Sequence, residues 1–372
     1  MSLKKTIAYY NFDAYTDTDL SVVKELQKKY QVVWYALLSP QSAYTPAFLH
    51  NFVRGSGIEL HVVTFSCRRR SWVFFKMVWQ HMGDIKRKNP SLIYTCCIDP
   101  YVTFSIAVRL AGVPRVQGMH DVVSHSNFNL TATFKIARKL IFYTNKNFVN
   151  FSKNQFEIFR ELYPKKKNFL VGMSTKDFGK ATIPPPAFTK RKILFFGTLH
   201  TYKGFDLLID AYERLLLEGI KNLEVSFYGK PANSEVQNLL LEKISDATKY
   251  NLGLGFVDNN DVANIFTAHH YAIFPYRDAT QSGPLMIAIK YNVPVIAPSY
   301  GCFSDVVTNG IDGYLYEKNS SDGIYSILKK ISQQSFEEYV DMKKSCERLG
   351  ERFSEANICK KYIEIFESLI KQ

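Results

Sequence analysis

The 372-residue sequence has no apolar run near the roughly 18 residues a membrane-spanning helix needs, so an integral membrane protein is not expected. Its start, Met1 to Tyr10, lacks the apolar core and cleavage site of a secretory signal. The six cysteines, Cys67, Cys96, Cys97, Cys302, Cys346 and Cys359, form no C-x-x-C pair. Reduced, mostly buried thiols are therefore expected, with no structural zinc and no metal cofactor. No P-loop, G-x-G-x-x-G, solenoid repeat or low-complexity tract is present. What remains, 46% hydrophobic and 22% charged, is a globular composition, and the length suits two domains of roughly 150 residues or more.

Acidic residues are scarce in the first half. Residues 1–175 hold 24 Lys and Arg against 10 Asp and Glu, a net of +14, whereas residues 176–372 are near neutral at −1. The asymmetry points the first half toward something anionic: nucleic acid, an acidic membrane surface or a phosphorylated substrate.

Short β-rich runs alternate with helical stretches, which predicts parallel α/β sheets. Strands are expected at 6–10, 31–38, 58–65, 92–97, 115–119 and 147–151, then at 193–197, 223–228, 252–256, 271–275, 294–297 and 314–316. The pattern lapses over 175–191, around Pro184-Pro185-Pro186, which reads as an interdomain connection. Arg191 there is expected to be inert. A final helix over about 355–370 presents Ile358, Tyr362, Ile365, Phe366 and Leu369 on one face, with Ser354 as N-cap. Two α/β halves imply a cleft, with ligands at the C-terminal strand ends.

Four segments carry candidate chemistry. Ile193 to Gly204 is a strand ending at Gly197, followed by Thr198 and a helix opening near Lys203; glycine, helix N-terminus and lysine suit a phosphate. Phe274 to Pro284 repeats the plan, with Asp278, Thr280, Gln281, Ser282 and Gly283 before a helix. Gly118 to His125 places His120 and Asp121 at a strand end, where an acid can orient an imidazole or accept a proton. Arg68, Arg69, Arg70, Trp72, Phe74, Phe75, Lys76 and Trp79 interleave cations with aromatics. That suits an interfacial membrane helix or stacking on single-stranded nucleic acid; alternatively Trp72, Phe75, Val78 and Trp79 are the buried face of a sheet-covering helix.

The second half resembles the glycosyl transferases group 1, family 4, of the GT-B fold. The resemblance rests on Lys203-Gly204-Phe205-Asp206-Leu207-Leu208, the Tyr228-Gly229 turn, Pro275 to Gly283, Pro294 to Ala297, Gly301 to Val307 and Asn309 to Leu315. In the first half, His120-Asp121 and His125 resemble the His-Asp motif of some bacterial polysaccharide members. The resemblance implies two Rossmann-like domains facing across a cleft. Residues 1–175 would bind the acceptor, 176–191 would link, 192–354 would bind the nucleotide-sugar, and the helix 355–372 would cross back to the first domain.

It further implies sugar transfer from a nucleotide-sugar. Lys203 would contact the diphosphate, with Gly197, Thr198, Gly229, Asp278, Thr280, Gln281, Ser282 and Gly283 around the donor and His120 and Asp121 on the sugar side. The two glutamates typical of the family are missing. Ungapped counting puts Ala279 and Ile287 there, and the shifted register Thr280 and Ala288; the arginine often found after Gly197 is replaced by Thr198. The Thr-Gln-Ser-Gly loop looks like a branch of the family, with Asp278 in place of the first acid. Retention is the family's usual stereochemistry; in an inverting branch Asp121 would be the base. The leading expectation is a cytoplasmic glycosyltransferase, peripheral on the inner plasma-membrane face. It would act on a lipid-diphosphate-linked glycan in O-antigen or capsule assembly, without nucleic acid. The rival readings are a nucleotide-sugar epimerase, short of carboxylates here, and a nucleic-acid-binding protein, for which no helix-turn-helix or RNA-recognition signature is present.

Overall fold

The computed structural model describes residues 4–123, 131–317 and 319–370. The chain divides into two compact units, one of residues 1–174 with 354–372 and one of residues 175–353. Each is an α/β unit around a parallel sheet.

The first sheet contains β1 (Thr6–Phe12), β2 (Gln31–Leu38), β3 (Glu59–Thr64), β4 (Leu92–Thr95), β5 (Arg115–Met119), β6 (Asn147–Asn150) and β7 (Lys167–Leu170), in the order β3-β2-β1-β4-β5-β6-β7. β1 and β2 are apolar and buried along nearly their whole length, as strands covered by helices on both faces must be. On one side Phe74, Val78, Met82 and Ile85 of the helix Trp72–Arg87 pack against Tyr10, Leu37 and Ile93. The final helix, Glu355–Ile370, packs in this first unit. Its five apolar residues are buried, Tyr362 meets Tyr94 edge-on at 5.6 Å, and Tyr30 donates to Glu367 at 2.9 Å.

The second sheet contains β8 (Arg191–Phe196), β9 (Leu223–Gly229), β10 (Tyr250–Leu254), β11 (Tyr271–Ile273), β12 (Val295–Pro298) and β13 (Gly313–Tyr316), in the order β10-β9-β8-β11-β12-β13. Its core joins Phe195, Phe227 and Tyr271 of the sheet to Leu208, Tyr212, Ile324 and Leu328 of the covering helices. In both sheets the order reverses after the first-built strand, at β1/β4 and at β8/β11. Those are the switch points above which an α/β sheet opens a crevice.

Several expectations need correction. β7 had no apolar run to announce it, because lysines flank an edge strand that is half exposed. The helix Phe336–Arg352 was also missed. Its sparse apolar face, Tyr339, Met342, Cys346 and Leu349, is outnumbered by charge, though Ser335 and Glu338 form a full capping box. Arg191 is not an inert connector: it opens β8, donates to Gln334 O at 2.6 Å and lies over the Phe188 ring at 4.3 Å. The stretch 176–191 belongs to the second unit, where Thr182 N–H donates to Asn264 at 2.7 Å. Five of the six cysteines are buried, and burial pushes the Cys97 thiol up to about 12. Among the described residues no helix is long and apolar enough to cross a membrane.

Candidate active site

β8 runs out into Gly197, whose φ is +111° and whose N–H donates to Tyr228 O at 2.9 Å. Gly229, at the end of β9, has φ +139°, and a Cβ there would stand 2.3 Å from Gly197 O. Two glycines thus let the exits of β8 and β9 pass at backbone distance. The chain then makes one tight turn, Thr201–Lys203, and reverses at Gly204, φ +66°, into the helix Phe205–Leu217. A Cβ on Gly204 would stand 1.9 Å from Pro275 O, so this turn lies directly on the exit of β11.

Arg277 closes the joint. Its guanidinium donates to both carboxylate oxygens of Asp206 at 2.7 and 2.6 Å and to Thr201 O at 2.7 Å, while its N–H donates to Tyr202 O at 2.6 Å. Burial alone would raise the Asp206 carboxyl, but the Arg277 hydrogen bonds and charge outweigh it and hold the group below the usual carboxylate range.

Lys203 sits in this joint only 8% exposed. Its ammonium lies 3.1 Å from where a Cβ on Gly197 would be, beside Pro284, and 5.4 Å from the Tyr276 ring centroid. Burial pushes it down to about 8, with no carboxylate offsetting the lost water. Pro284 lies in the first turn of the helix Gly283–Lys290, N-capped by Ser282, whose hydroxyl accepts from Leu285 N–H at 3.3 Å. The buried ammonium therefore adjoins a helix N-terminus, where backbone N–H groups and the positive end of the dipole favour an anion.

The structure thus gathers Gly197, Lys203, Ser282 and Gly283 at the second switch point. Asp278, Thr280 and Gln281 lie half-buried in the loop leading to Ser282, and Asp278 adds to burial in raising the phenols of Tyr202 and Tyr300. Thr198 is exposed, and Gly229 supports Gly197 from beneath. Ala279, one of the positions counted for a glutamate, is buried, and its carbonyl packs against Gly301. Sequence reasoning missed the Arg277–Asp206 clamp, since an Arg and an Asp 71 positions apart give no local signal.

In the first unit, His120 follows β5 and is sandwiched between the rings of Tyr15 at 4.9 Å and Phe151 at 4.4 Å. Asp121 and Arg69 are near enough for their charges to reach the Tyr15 phenol, which burial raises above its ordinary value. Arg69 stacks on Phe12, at the end of β1, at 4.1 Å. Tyr15, Arg69, His120 and Asp121 therefore share the C-terminal edge of the first sheet. His125 lies outside the described residues.

Arg68, Arg70 and Lys76 are exposed, and Trp72 is 63% exposed. Phe74, expected among the surface aromatics, is fully buried beneath them. The 72–87 helix therefore has two apolar faces. The inner one is core. The outer one forms a chain of rings from Trp72 to Phe75 at 4.8 Å, to Trp79 at 5.7 Å and on to exposed Phe104 of the helix Pro100–Arg109 at 6.3 Å.

Two Rossmann-like α/β units, each with its switch point at the C-terminal strand ends, define the fold class. The chain matches a Rickettsia africae glycosyltransferase structure over 99% of both chains, with TM-score 0.77 at 14% identity. It matches an Anabaena protein crystallised with UDP-glucose over 98% of this chain and 100% of that one, with TM-score 0.73 at 14% identity. The fold is thus GT-B. Residues 190–334 match the family model of the glycosyl transferases group 1. A GDP-mannose:glycolipid 4-beta-D-mannosyltransferase of Xanthomonas campestris is 25% identical over 118 residues, which are 32% of this chain and 33% of that relative. The chain covers between a third and about half of the length of the curated relatives it matches.

Proposed function

We propose that this protein transfers a sugar from a nucleotide-sugar to a lipid-diphosphate-linked glycan in surface-polysaccharide assembly, at the inner face of the plasma membrane. The observation that carries the donor half is Lys203: a buried ammonium with no carboxylate offsetting its burial, set against the N-terminus of the helix Gly283–Lys290. Such a cation is costly in the ligand-free protein and is compensated by an anion.

As the sugar–phosphate bond breaks, negative charge builds on the departing diphosphate. Lys203 and the helix N-terminus are fixed where that charge grows, so they favour the transition state over the bound donor. The reaction is assigned the retaining course. His120, held flat between two rings, and Asp121 beside Tyr15 are assigned to the sugar and acceptor chemistry. The match of residues 190–334 to the glycosyl transferases group 1 and the glycolipid named for the Xanthomonas relative support this reading.

For the membrane contact, the exposed ring of Trp72, stacked on half-buried Phe75, and the cations Arg68, Arg70 and Lys76 share one end of the helix Trp72–Arg87. Aromatic rings among cations suit the headgroup zone of an anionic bilayer. A melting screen against UDP-, GDP- and dTDP-sugars tests the donor half. One nucleotide class should raise the midpoint, and no response to any of them would contradict the proposal.

A further inference from the structure

The stretch after Ser174 bears a lysine that no motif signals. Lys176 N–H donates to Met286 O at 3.4 Å, and Asp177 pairs with Lys290 at 2.7 Å. Phe178 N–H donates to Tyr291 Oη at 2.9 Å, and that hydroxyl donates to Gly179 O at 3.0 Å. These contacts lay the stretch along the whole helix Gly283–Lys290. Asp177 meets the C-terminal end, which leaves Lys176 at the other.

There, Lys176 Nζ lies 2.9 Å from where a Cβ on Gly283 would stand, and its Cε 3.6 Å away. Only glycine at 283 leaves room for the ammonium to rest against the first helical residue. The arrangement is electrostatically inverted. A helix N-terminus carries about half a positive charge and favours anions, whereas cations belong at the other end, where Lys290 sits. Lys203, buried between Gly197 and Tyr276, lies near Pro284 of the same first turn, since a Cβ on Gly197 would meet both Lys203 Nζ at 3.1 Å and Pro284 Cγ at 3.6 Å. Two ammonium groups and a helix N-terminus converge on one place.

We infer that Lys176 is a second diphosphate-binding residue, so that the donor's diphosphate is held between Lys203 and Lys176 across the first turn of the helix Gly283–Lys290. The inference rests on the nucleotide-sugar reading of the site and adds a residue to it. A diphosphate, with charged oxygens spread over two phosphorus centres, offers an oxygen to each lysine.

The test is calorimetric titration at low salt with inorganic diphosphate, UDP, GDP and dTDP, and with uridine, guanosine and thymidine as phosphate-free probes. The proteins are the wild type, Lys176→Met, Lys176→Arg, Gly283→Ala and, as control, exposed Lys180→Met. Lys176→Met and Gly283→Ala are expected to weaken diphosphate binding about tenfold or more and to flatten its salt dependence. Lys176→Arg should stay within about threefold of wild type, and Lys180→Met should be unchanged. Nucleoside affinity should be unaltered. Wild-type diphosphate affinity in Lys176→Met would overturn the inference while leaving the donor site standing. If the wild type binds none of the four diphosphates, the donor-site reading itself fails and the inference falls with it.

Discussion

Arg277 and Asp206 form a two-pronged ion pair, at 2.7 and 2.6 Å, that fastens the exit of β11 to the first turn of the helix after β8. The pair sets the spacing between Lys203 on one loop and Ser282 on the other. Arg277→Ala should therefore weaken nucleotide binding several-fold although Arg277 is assigned no ligand contact. The stability loss should be only about 1 kcal/mol, because the guanidinium is a third exposed and screened. The pair also has a pH signature. The Asp206 carboxyl is depressed, so its contribution is present above the ordinary carboxylate value and is lost as pH falls below it. Denaturant titrations from pH 7 to 3 should show wild type and Arg277→Ala converging at the acid end.

Gly204 tests the joint sterically. With φ at +66° and a carbonyl 1.9 Å from its missing Cβ, Gly204→Ala must displace either the Lys203 turn or Pro275. A loss of about 2–4 kcal/mol is expected in urea unfolding, together with loss of nucleotide-induced stabilisation. Gly219→Ala, also at positive φ but with nothing within 4 Å of the new Cβ, should cost about 1 kcal/mol and leave binding intact.

His120→Ala removes the middle of a three-ring stack, and Asp121→Asn removes a charge beside Tyr15. Both are expected to lower turnover at saturating donor by about 10²-fold, the scale of losing one group that stabilises charge in the transition state. Nucleotide affinity should change less than threefold. An affinity loss as large as the turnover loss would remove these residues from the transfer chemistry.

The combined change Arg68→Glu, Arg70→Glu and Lys76→Glu should release the protein from anionic vesicles, since each cation contributes about 1 kcal/mol near such a surface. Arg69 is left in place because it stacks on Phe12 at the sheet edge. Release should be sharpest at low salt. Unchanged co-sedimentation would retire the membrane face without touching the donor site.

Much of this was legible in the sequence because parallel strands are apolar throughout. β2, β5 and the final helix fall where periodicity put them. Elements whose apolar signal is diluted by charge, β7 and the helix Phe336–Arg352, were not. At the site, Gly197, Lys203 and Ser282 announce themselves through strand-to-helix spacing. Lys176 does not. It reaches Gly283 from more than a hundred residues away, through a proline-rich neighbourhood that reads as connection. Phe74 and Trp72 are equally apolar neighbours in the chain; only the helix's orientation on its sheet makes one core and the other surface.

The central claim is that Lys203 is a strained cation awaiting a diphosphate, and its protonation gives the most direct measurement. Its ammonium is pushed down to about 8 by burial, so the unfolded chain binds more protons than the folded one between there and the ordinary lysine value. Burying the charge therefore costs stability below pH 8, and the cost fades as pH rises toward the ordinary value. A bound diphosphate should restore the proton. Calorimetry of the preferred nucleoside diphosphate at pH 8.5–9, in two buffers of different ionisation heat, should show net proton uptake by the wild type. Lys203→Arg, which stays charged, should bind without that extra proton, and Lys203→Met should bind at least about 10²-fold more weakly yet melt a few degrees higher when ligand-free. Equal proton uptake in wild type and Lys203→Arg, with wild-type affinity in Lys203→Met, would contradict the account.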